Sequence, residues 1–219
     1  MSNKIQPAFV TFTGVDRSDI IPSLLDLSER YPIEWGVLVD PEQEDNNLFP
    51  TLEERLKVQS SGLCLSAHIC GIPAAEIVQG KNPNYLQLSG FSRLQINHSR
   101  DGSTEEQISN AHRFASSMGM RAALQCQGDF PDEPRADWLY DVSFGLGTKP
   151  TSWPPMGPRS TFCGYSGGLS PETIESTFSA LPLTESDNKQ FWVDMESGVR
   201  TDGWLDVDKC EQVCKLIFG

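Results

Sequence analysis

The segment Thr161-Phe162-Cys163-Gly164-Tyr165-Ser166-Gly167-Gly168-Leu169-Ser170-Pro171-Glu172 decides the fold. Its apolar start, 161–165, predicts a strand, and the glycine pair that follows predicts a tight turn. Pro171 suits the first turn of a helix that extends to Leu181, with Ser170 as its N-cap. A strand, a short turn and a helix in this order form one β/α unit.

The same order of strand and helix recurs along the chain. Apolar runs that predict strands occupy 8–12, 34–39, 63–69, 93–96, 121–126, 138–142, 161–165 and 191–195. Eight units divide the 219 residues into about 27 residues each, which favours an α/β fold of the compact (β/α)8 TIM barrel type. A doubly wound open sheet is the alternative. Its first strand is usually followed by a glycine-rich turn, whereas the first run here ends in Thr13-Gly14-Val15.

Capping signals predict where the helices begin. Thr51-x-x-Glu54 and Ser103-x-x-Glu106 have the spacing of capping boxes. Either Asp16 or Ser18 is expected to cap the first helix, and 206–218 predicts an amphipathic helix at the end of the chain.

Two connections of the predicted barrel are irregular. Residues 128–135 are too few and too rich in proline for a full helix, and 149–159 contain four prolines. We therefore expect helices five and six to be shortened or missing, within a single barrel domain over 1–219.

Composition excludes several classes of partner. Seventeen basic and 30 acidic side chains give a net charge of −13. Nucleic acids and anionic membranes attract basic surfaces, so neither is an expected partner. A phosphate group stays possible, because backbone amides bind it without net positive charge. The hydrophobic fraction of 38%, with five Trp and eleven Phe, argues against a disordered chain.

The six cysteines are expected to be free thiols in a reducing compartment. None forms a Cys-x-x-Cys pair or lies in a histidine cluster, so we expect no metal site, and nothing indicates a cofactor. Cys210 and Cys214 lie four residues apart on one helix face, which predicts packing against the barrel. No run of 18 apolar residues and no signal-peptide pattern occurs, which favours the cytoplasm.

Two glycine turns predict a phosphate site. Ser166, Gly167 and Gly168 follow the seventh predicted strand, and Ser197 and Gly198 follow the eighth. In TIM barrels the loops after strands seven and eight frequently hold a phosphate, and glycine lets the backbone approach it closely. The alternative is that these glycines only close tight turns.

These same residues resemble a known family. Cys163-Gly164-Tyr165-Ser166-Gly167-Gly168-Leu169-Ser170-Pro171-Glu172 and Val193-Asp194-Met195-Glu196-Ser197-Gly198-Val199 are similar to the Ser-Gly-Gly-Leu-x-Pro-Glu-Asn and Val-Asp-Val-Ser-Ser-Gly-Val-Glu runs of phosphoribosylanthranilate isomerases. The match covers about the last 60 residues well, with Gly203-Trp204-Leu205-Asp206 as a looser part of it. Before that it is weak but colinear.

The resemblance implies a TIM barrel that performs an Amadori rearrangement in tryptophan biosynthesis. That reaction opens the ring of a phosphorylated aminoribose and needs a general acid and a general base. Asp141 occupies the family's acid position, and Thr13 stands where the family has its cysteine base. A hydroxyl is no base near neutral pH without help.

Two more positions differ from the family. The acidic loop 40–45 stands where the family has a basic residue that holds the anthranilate carboxylate, and Asn97 replaces a histidine. The resemblance thus leaves two hypotheses: an isomerase with a rebuilt base, or a phosphosugar-binding barrel that has lost catalysis or acts on another phosphosugar. A small phosphosugar is the expected partner in both, and no feature indicates an oligomeric state.

The position of further side chains on the predicted strands and helices indicates their expected roles. His68, near the end of the third strand, is a candidate acid or base, or else a histidine bonded within the barrel. Asp194 is expected to orient the substrate or to bind backbone amides, and Asn97 to orient the substrate. Cys126, at the end of strand five, is a weaker candidate. His112 and Arg17 are expected at the surface.

Overall fold

Eight parallel strands close into a barrel in a computed structural model of the chain, which describes residues 6–44, 46–99, 102–143, 147–157, 161–183 and 190–219. The strands are β1 (Phe9–Thr13), β2 (Ile33–Val39), β3 (Leu65–Ile69), β4 (Arg93–Ile96), β5 (Arg121–Cys126), β6 (Ala136–Tyr140), β7 (Cys163–Ser166) and β8 (Phe191–Met195). Each strand pairs with the next one in sequence. Val10 of β1 lies opposite both Ile33 of β2 and Val193 of β8, so the ring is closed. This confirms the predicted TIM barrel.

Six helices surround the barrel in the described part of the chain. They are α1 (Ile21–Arg30), α2 (Leu52–Gln59), α3 (Gly71–Val78), α4 (Glu105–Ser116), α5 (Ile174–Ala180) and α6 (Val207–Phe218). No helix joins β5 to β6, and none occurs in the described residues between β6 and β7. The expected loss of helices five and six is confirmed, because the first connection is short and the second rich in proline. No helix of the described residues has both the length and the apolar character needed to span a membrane.

The loop after β8 continues into a small antiparallel ribbon. Its strands are β9 (Arg200–Thr201) and β10 (Trp204–Leu205). The ribbon leads into α6, whose Cys210 and Cys214 are fully buried in the core. This confirms the predicted packing of the two thiols against the barrel.

The barrel interior contains a buried ion pair below the mouth. Arg93 on β4 donates to Glu34 on β2, and its guanidinium carbon lies 4.3 Å from the ring centroid of Trp192 on β8. Phe9 on β1 faces the same guanidinium at 5.1 Å. Contacts among four strands around the ring are possible only across the interior. A charged, aromatic layer therefore closes the barrel beneath the site.

The predicted starts of α1 and α4 differ from the structure. Thr104, not Ser103, is the N-cap of α4, and it exchanges hydrogen bonds with Gln107 in a capping box shifted by one residue. Asp16 and Ser18 do not cap α1, whose N-cap is Ile20 without a side-chain bond. Asp16 instead accepts hydrogen bonds from Leu205 N and Arg200, so a tertiary contact outweighs local capping.

The starts of α2 and α5 also depart in part from the predicted capping patterns. Thr51 caps α2 as predicted, through a 3.3 Å bond from Glu54 N. The Glu54 carboxylate does not complete the box, because it accepts from Ser18 N. α5 begins at Ile174 with Thr173 as its N-cap residue, three residues later than the predicted start at Pro171. Strand β6 likewise ends two residues earlier than predicted, which leaves Asp141 just beyond its carboxyl end.

Candidate active site

A cavity of about 530 Å³ opens at the carboxyl ends of the barrel strands. Most of the residues that line it lie near or just beyond the end of a strand, where TIM barrels carry their active sites. The cavity brings together nearly all of the predicted site residues, namely Thr13, His68, Asn97, Asp141, Ser166, Gly167, Gly168, Asp194 and Ser197. Gly198 is the predicted residue that does not line it.

Asp141 projects from the end of β6 and is held by hydrogen bonds. Its Oδ1 accepts from the Ser143 amide at 2.8 Å and from the Ser143 hydroxyl at 2.9 Å, and its Oδ2 accepts from Gln125 Nε2 at 3.0 Å. Three donors converge on one carboxyl group, which is the arrangement that an ionised carboxylate accepts. The side chain is thus oriented before a substrate arrives.

Thr13, Asp194 and His68 form a second cluster across the cavity floor. Thr13 Oγ1 donates to Asp194 Oδ1 at 2.8 Å. Asp194 Oδ2 lies 4.0 Å from His68 Nε2, which in turn lies 3.1 Å from Ser66 Oγ. Gly36 makes room for the cluster, because a Cβ there would lie 2.6 Å from Thr13 Oγ1 and 2.9 Å from His68 Nε2.

Burial controls the protonation of this cluster. It raises the pKa of Asp194 from 3.8 to about 8, with the Thr13 hydrogen bond opposing the shift. It lowers the pKa of His68 to about 3, and the nearby positive charge of Arg93 adds to the effect. Near neutral pH both side chains are therefore uncharged, and their 4.0 Å contact is not an ion pair. Asp194 holds a proton that it can release within the working pH range.

Glu196 adds another titrating group at the rim. Burial raises the pKa of its carboxyl to about 7, although Arg200 opposes the shift. In the sequence pattern quoted above, Glu196 stands at a position where the family has serine. The cavity therefore contains three carboxyl groups, those of Asp141, Asp194 and Glu196.

The glycine turn after β7 presents backbone to the cavity. Gly167 and Gly168 have φ angles of +113° and +63°, which only glycine adopts easily. Thr173 fixes the turn by donating from Oγ1 to Gly168 O at 2.7 Å and by accepting from Ser170 N at 2.9 Å. The predicted helix start at Pro171 is a turn, so the short helix α5 lies further from the cavity than expected.

The two glycine turns leave amide groups without a protein acceptor. In the part of the chain that the structure describes, the N–H groups of Gly167, Gly168, Ser197 and Gly198 donate to no other residue. Gly198 also has a packing role, because a Cβ there would overlap Leu169 O. Gly198 is therefore a glycine that packing in a tight turn requires. The unpaired amides of Gly167, Gly168 and Ser197, which line the cavity, suit an anion.

Comparisons with solved structures agree with this architecture. The chain is similar to N-(5′-phosphoribosyl)anthranilate isomerase from Pyrococcus furiosus, with 15% identity and a TM-score of 0.59 over 94% of this chain and 96% of that one. For phosphoribosylanthranilate isomerase from Thermotoga maritima the values are 13%, 0.60, 97% and 99%. The tryptophan synthase α-subunit from Pyrococcus furiosus has 12% identity and a TM-score of 0.51, over 89% and 88%. The chain has the fold of these barrels.

At such low identity these similarities show the fold alone. No family model and no curated protein matches the chain. The roles of individual residues therefore have to be argued from the geometry of the cavity itself.

The acidic side chains that the structure describes in the loop after β2, those of Asp40, Glu42 and Glu44, do not line the cavity. Glu44 accepts from Leu52 N at 3.2 Å and lies 3.6 Å from Arg55, which directs it to the start of α2. Glu42 is exposed, and Asp45 lies outside the described residues. The loop instead contributes Leu48 and Phe49 to the cavity wall. Neither Glu42 nor Glu44 lines the cavity.

Cys126 and His112, two weaker candidates, do not line the main cavity. Cys126 lines a separate cavity of about 360 Å³ beside Ser103 and Ile108, and burial raises its pKa to about 12. A thiol that stays protonated is a poor nucleophile, and Cys126 does not line the main cavity, so its surroundings favour a buried structural thiol. His112 is not merely solvated, because its Nδ1 lies 3.0 Å from Arg135 O.

Arg17 lies away from the cavity. It pairs with Asp16 at 2.7 Å and covers the exposed ring of Trp204. The described residues contain no group of three or more His, Cys, Asp or Glu side chains that could hold a metal ion.

Sequence reasoning missed Gln95 and Gln125, which line the deep part of the cavity. A signal for both exists in the strands, since each is a single polar residue between apolar neighbours, in Leu94-Gln95-Ile96 and Leu124-Gln125-Cys126. A buried strand with one amide side chain near its carboxyl end indicates a residue that faces the barrel mouth.

Proposed function

We propose that the chain is an isomerase that moves a proton on a phosphorylated sugar, in an Amadori-type reaction between an aldose and a ketose. The observation that carries the proposal is one cavity with Asp141 on one side, Asp194 on the other and free backbone amides at the rim. An isomerisation of this type needs one group that gives a proton and one that takes it.

The two carboxyl groups supply both roles. Asp194 carries a proton near neutral pH, because burial raises its pKa to about 8, so it acts as the general acid. Asp141 receives three hydrogen bonds that suit an ionised carboxylate, so it acts as the general base. This assignment makes Asp141 the base, whereas the family resemblance implies that Asp141 is the acid.

Thr13 acts through Asp194 and not as a base. Its hydroxyl proton points to Asp194 Oδ1, so the hydroxyl orients the acid and leaves Oδ2 for proton transfer. His68 stays neutral at the edge of the same cluster and limits the water around Asp194. The missing cysteine at position 13 is therefore compatible with catalysis by two carboxyl groups.

The phosphate is proposed to bind the amides of the two glycine turns. Gly167, Gly168 and Ser197 line the cavity, and their N–H groups have no protein acceptor in the described residues. Such a site needs no lysine or arginine, which is consistent with the net charge of −13.

The test follows proton exchange at carbon 2 of the sugar in deuterated water by NMR, with ribose 5-phosphate and phosphoribosylanthranilate as substrates. The wild-type protein should catalyse exchange, and Asp141→Asn and Asp194→Asn should each lower the rate at least 100-fold, in line with a lost acid or base. Glu42→Gln, at an exposed residue outside the cavity, is the matched control. Wild-type protein that is folded but gives no exchange with either substrate contradicts the proposal.

A binding protein without turnover is the second candidate, favoured by Thr13 at the position of the family's base. It predicts stabilisation by ribose 5-phosphate without proton exchange. A ligand at 100 times its Kd should add about 2.7 kcal/mol to the free energy of unfolding. Thr13→Cys separates the candidates: a gain of isomerase activity in this variant means that only the base had been lost.

A further inference from the structure

The deep part of the cavity presents buried oxygen atoms that accept no hydrogen bond. Gln95 Oε1, Gln125 Oε1 and Asp194 Oδ2 have no partner within the described residues, although all three are buried. Their side chains line the cavity. Unpaired buried polar atoms are rare in folded proteins, so the two glutamine oxygens each call for a donor from elsewhere, while Asp194 Oδ2 carries the proton that is proposed for transfer.

The amide orientations follow from the neighbours. Gln125 Nε2 donates to Asp141 Oδ2 at 3.0 Å, and a carboxylate there requires the amide nitrogen on that side. Gln95 Nε2 donates to Asn97 Oδ1 at 3.2 Å, while Asn97 Nδ2 faces Cys70 Sγ. Both glutamine oxygens are therefore turned away from these partners and can receive a donor from a ligand.

The acidic side chains that line the cavity are those of Asp141, Asp194 and Glu196, while the positive charges of Arg93 and Arg200 lie outside its lining. Glu196 lines the same cavity, and burial raises the pKa of its carboxyl with no hydrogen bond to lower it. No lysine or arginine of the described residues lines the cavity. An anionic group in the deep part would thus meet the two glutamine oxygens and the Asp141 carboxylate, with no lysine or arginine of the cavity lining to pair with it.

We infer that the substrate end remote from the phosphate carries hydrogen-bond donors, an amine or several hydroxyl groups, and no carboxylate. The substrate class is then a phosphorylated amino sugar or a neutral sugar phosphate. This inference rests on the proposed function, because it assigns the phosphate to the glycine turns and the remainder of the sugar to the deep part of the cavity.

Three sugar phosphates that differ at the end remote from the phosphate test the inference. Glucosamine 6-phosphate has an amine, glucose 6-phosphate has a hydroxyl, and 6-phosphogluconate has a carboxylate. Isothermal titration with the full chain should give Kd values that rise in this order, with glucosamine 6-phosphate binding at least about tenfold tighter than 6-phosphogluconate, which is 1.4 kcal/mol. Equal or tighter binding of 6-phosphogluconate overturns the inference.

Charge changes at Glu196 test the cause of the preference. Glu196→Gln should reduce the ratio of the two Kd values, and Glu196→Lys should invert it by giving the carboxylate a counter-ion. The side chain is partly exposed, so both variants should fold, which thermal unfolding checks. Glu42→Gln, outside the cavity, should leave the ratio unchanged. An unchanged ratio in Glu196→Lys contradicts the inference.

Phosphate-free ligands separate this inference from the proposed function. Glucosamine and gluconate should differ in the same direction as their phosphates, with weaker binding. If the phosphates bind no better than the free sugars, the phosphate site fails while this comparison still stands. Absence of binding by both glucosamine and glucosamine 6-phosphate at millimolar concentration counts against the inference itself.

Discussion

The hydroxyl of Thr13 on β1 donates a hydrogen bond to Oδ1 of Asp194 on β8 at 2.8 Å, which joins residues 181 positions apart in the chain. β1 and β8 are the first and last strands of the barrel, and their pairing closes it. The bond therefore has two roles. It holds the two ends of the barrel together, and it determines which oxygen of Asp194 is left for the cavity.

Replacing Thr13 tests both roles. Thr13→Val has the same shape but leaves Asp194 Oδ1 without a donor, which should lower the free energy of unfolding by about 1–3 kcal/mol. Thr13→Ser keeps the hydroxyl and should cost clearly less. Urea unfolding measures both variants, and equal midpoints for Val and Ser would show that the bond contributes nothing to stability.

The protonation of Asp194 should make stability depend on pH. Its pKa is raised from 3.8 to about 8, so between these values the folded chain holds a proton that the unfolded chain has lost. Its contribution to stability is complete below pH 3.8 and disappears as the pH rises through 8. The slope due to this residue should approach about 1.4 kcal/mol per pH unit.

Two neighbours define the best window for this measurement. The pKa of His68 is lowered from 6.5 to about 3, so its effect has the opposite sign and ends at pH 6.5. The pKa of Glu196 is raised to about 7, so its effect ends near there. Between pH 7 and 8 the free energy of unfolding of the wild type should therefore fall as the pH rises. In Asp194→Asn this fall should be absent. Parallel curves for the two proteins would contradict the raised pKa.

The sequence predicts the order of the barrel strands, and nearly all of the predicted site residues line one cavity, because both depend on local patterns. Alternating apolar runs define the strands, and strand ends define the mouth. The Thr13 to Asp194 bond could not be predicted, since it depends on the register of strands at opposite ends of the chain. Asp16 and Glu54 show the same limit: each has a good capping position, and each is used by a distant backbone amide instead.

A methyl group at Gly198 should disrupt the two loops that are proposed to bind the phosphate. The added Cβ would overlap Leu169 O in the turn after β7, so the two glycine turns would have to separate. Gly198→Ala should cost about 2 kcal/mol or more and should abolish stabilisation by ribose 5-phosphate. Gly128→Ala is the matched control, because its Cβ would meet nothing within 4 Å, and its effect should stay within about 0.5 kcal/mol. Normal phosphate binding by Gly198→Ala would exclude this turn as the phosphate site.

Arg200 should stabilise the mouth of the barrel through a buried carboxylate. Its guanidinium donates to Asp16 Oδ2 at 2.8 Å and to Gly14 O at 2.9 Å, and the Asp16 side chain is fully buried. Arg200→Ala leaves that charge with fewer partners and should cost about 3 kcal/mol, since an uncompensated buried charge is expensive. Arg30→Ala removes an exposed ion pair and should cost less than about 1 kcal/mol. If the two variants unfold at the same urea concentration, the Arg200 to Asp16 pair contributes no more to stability than a surface contact.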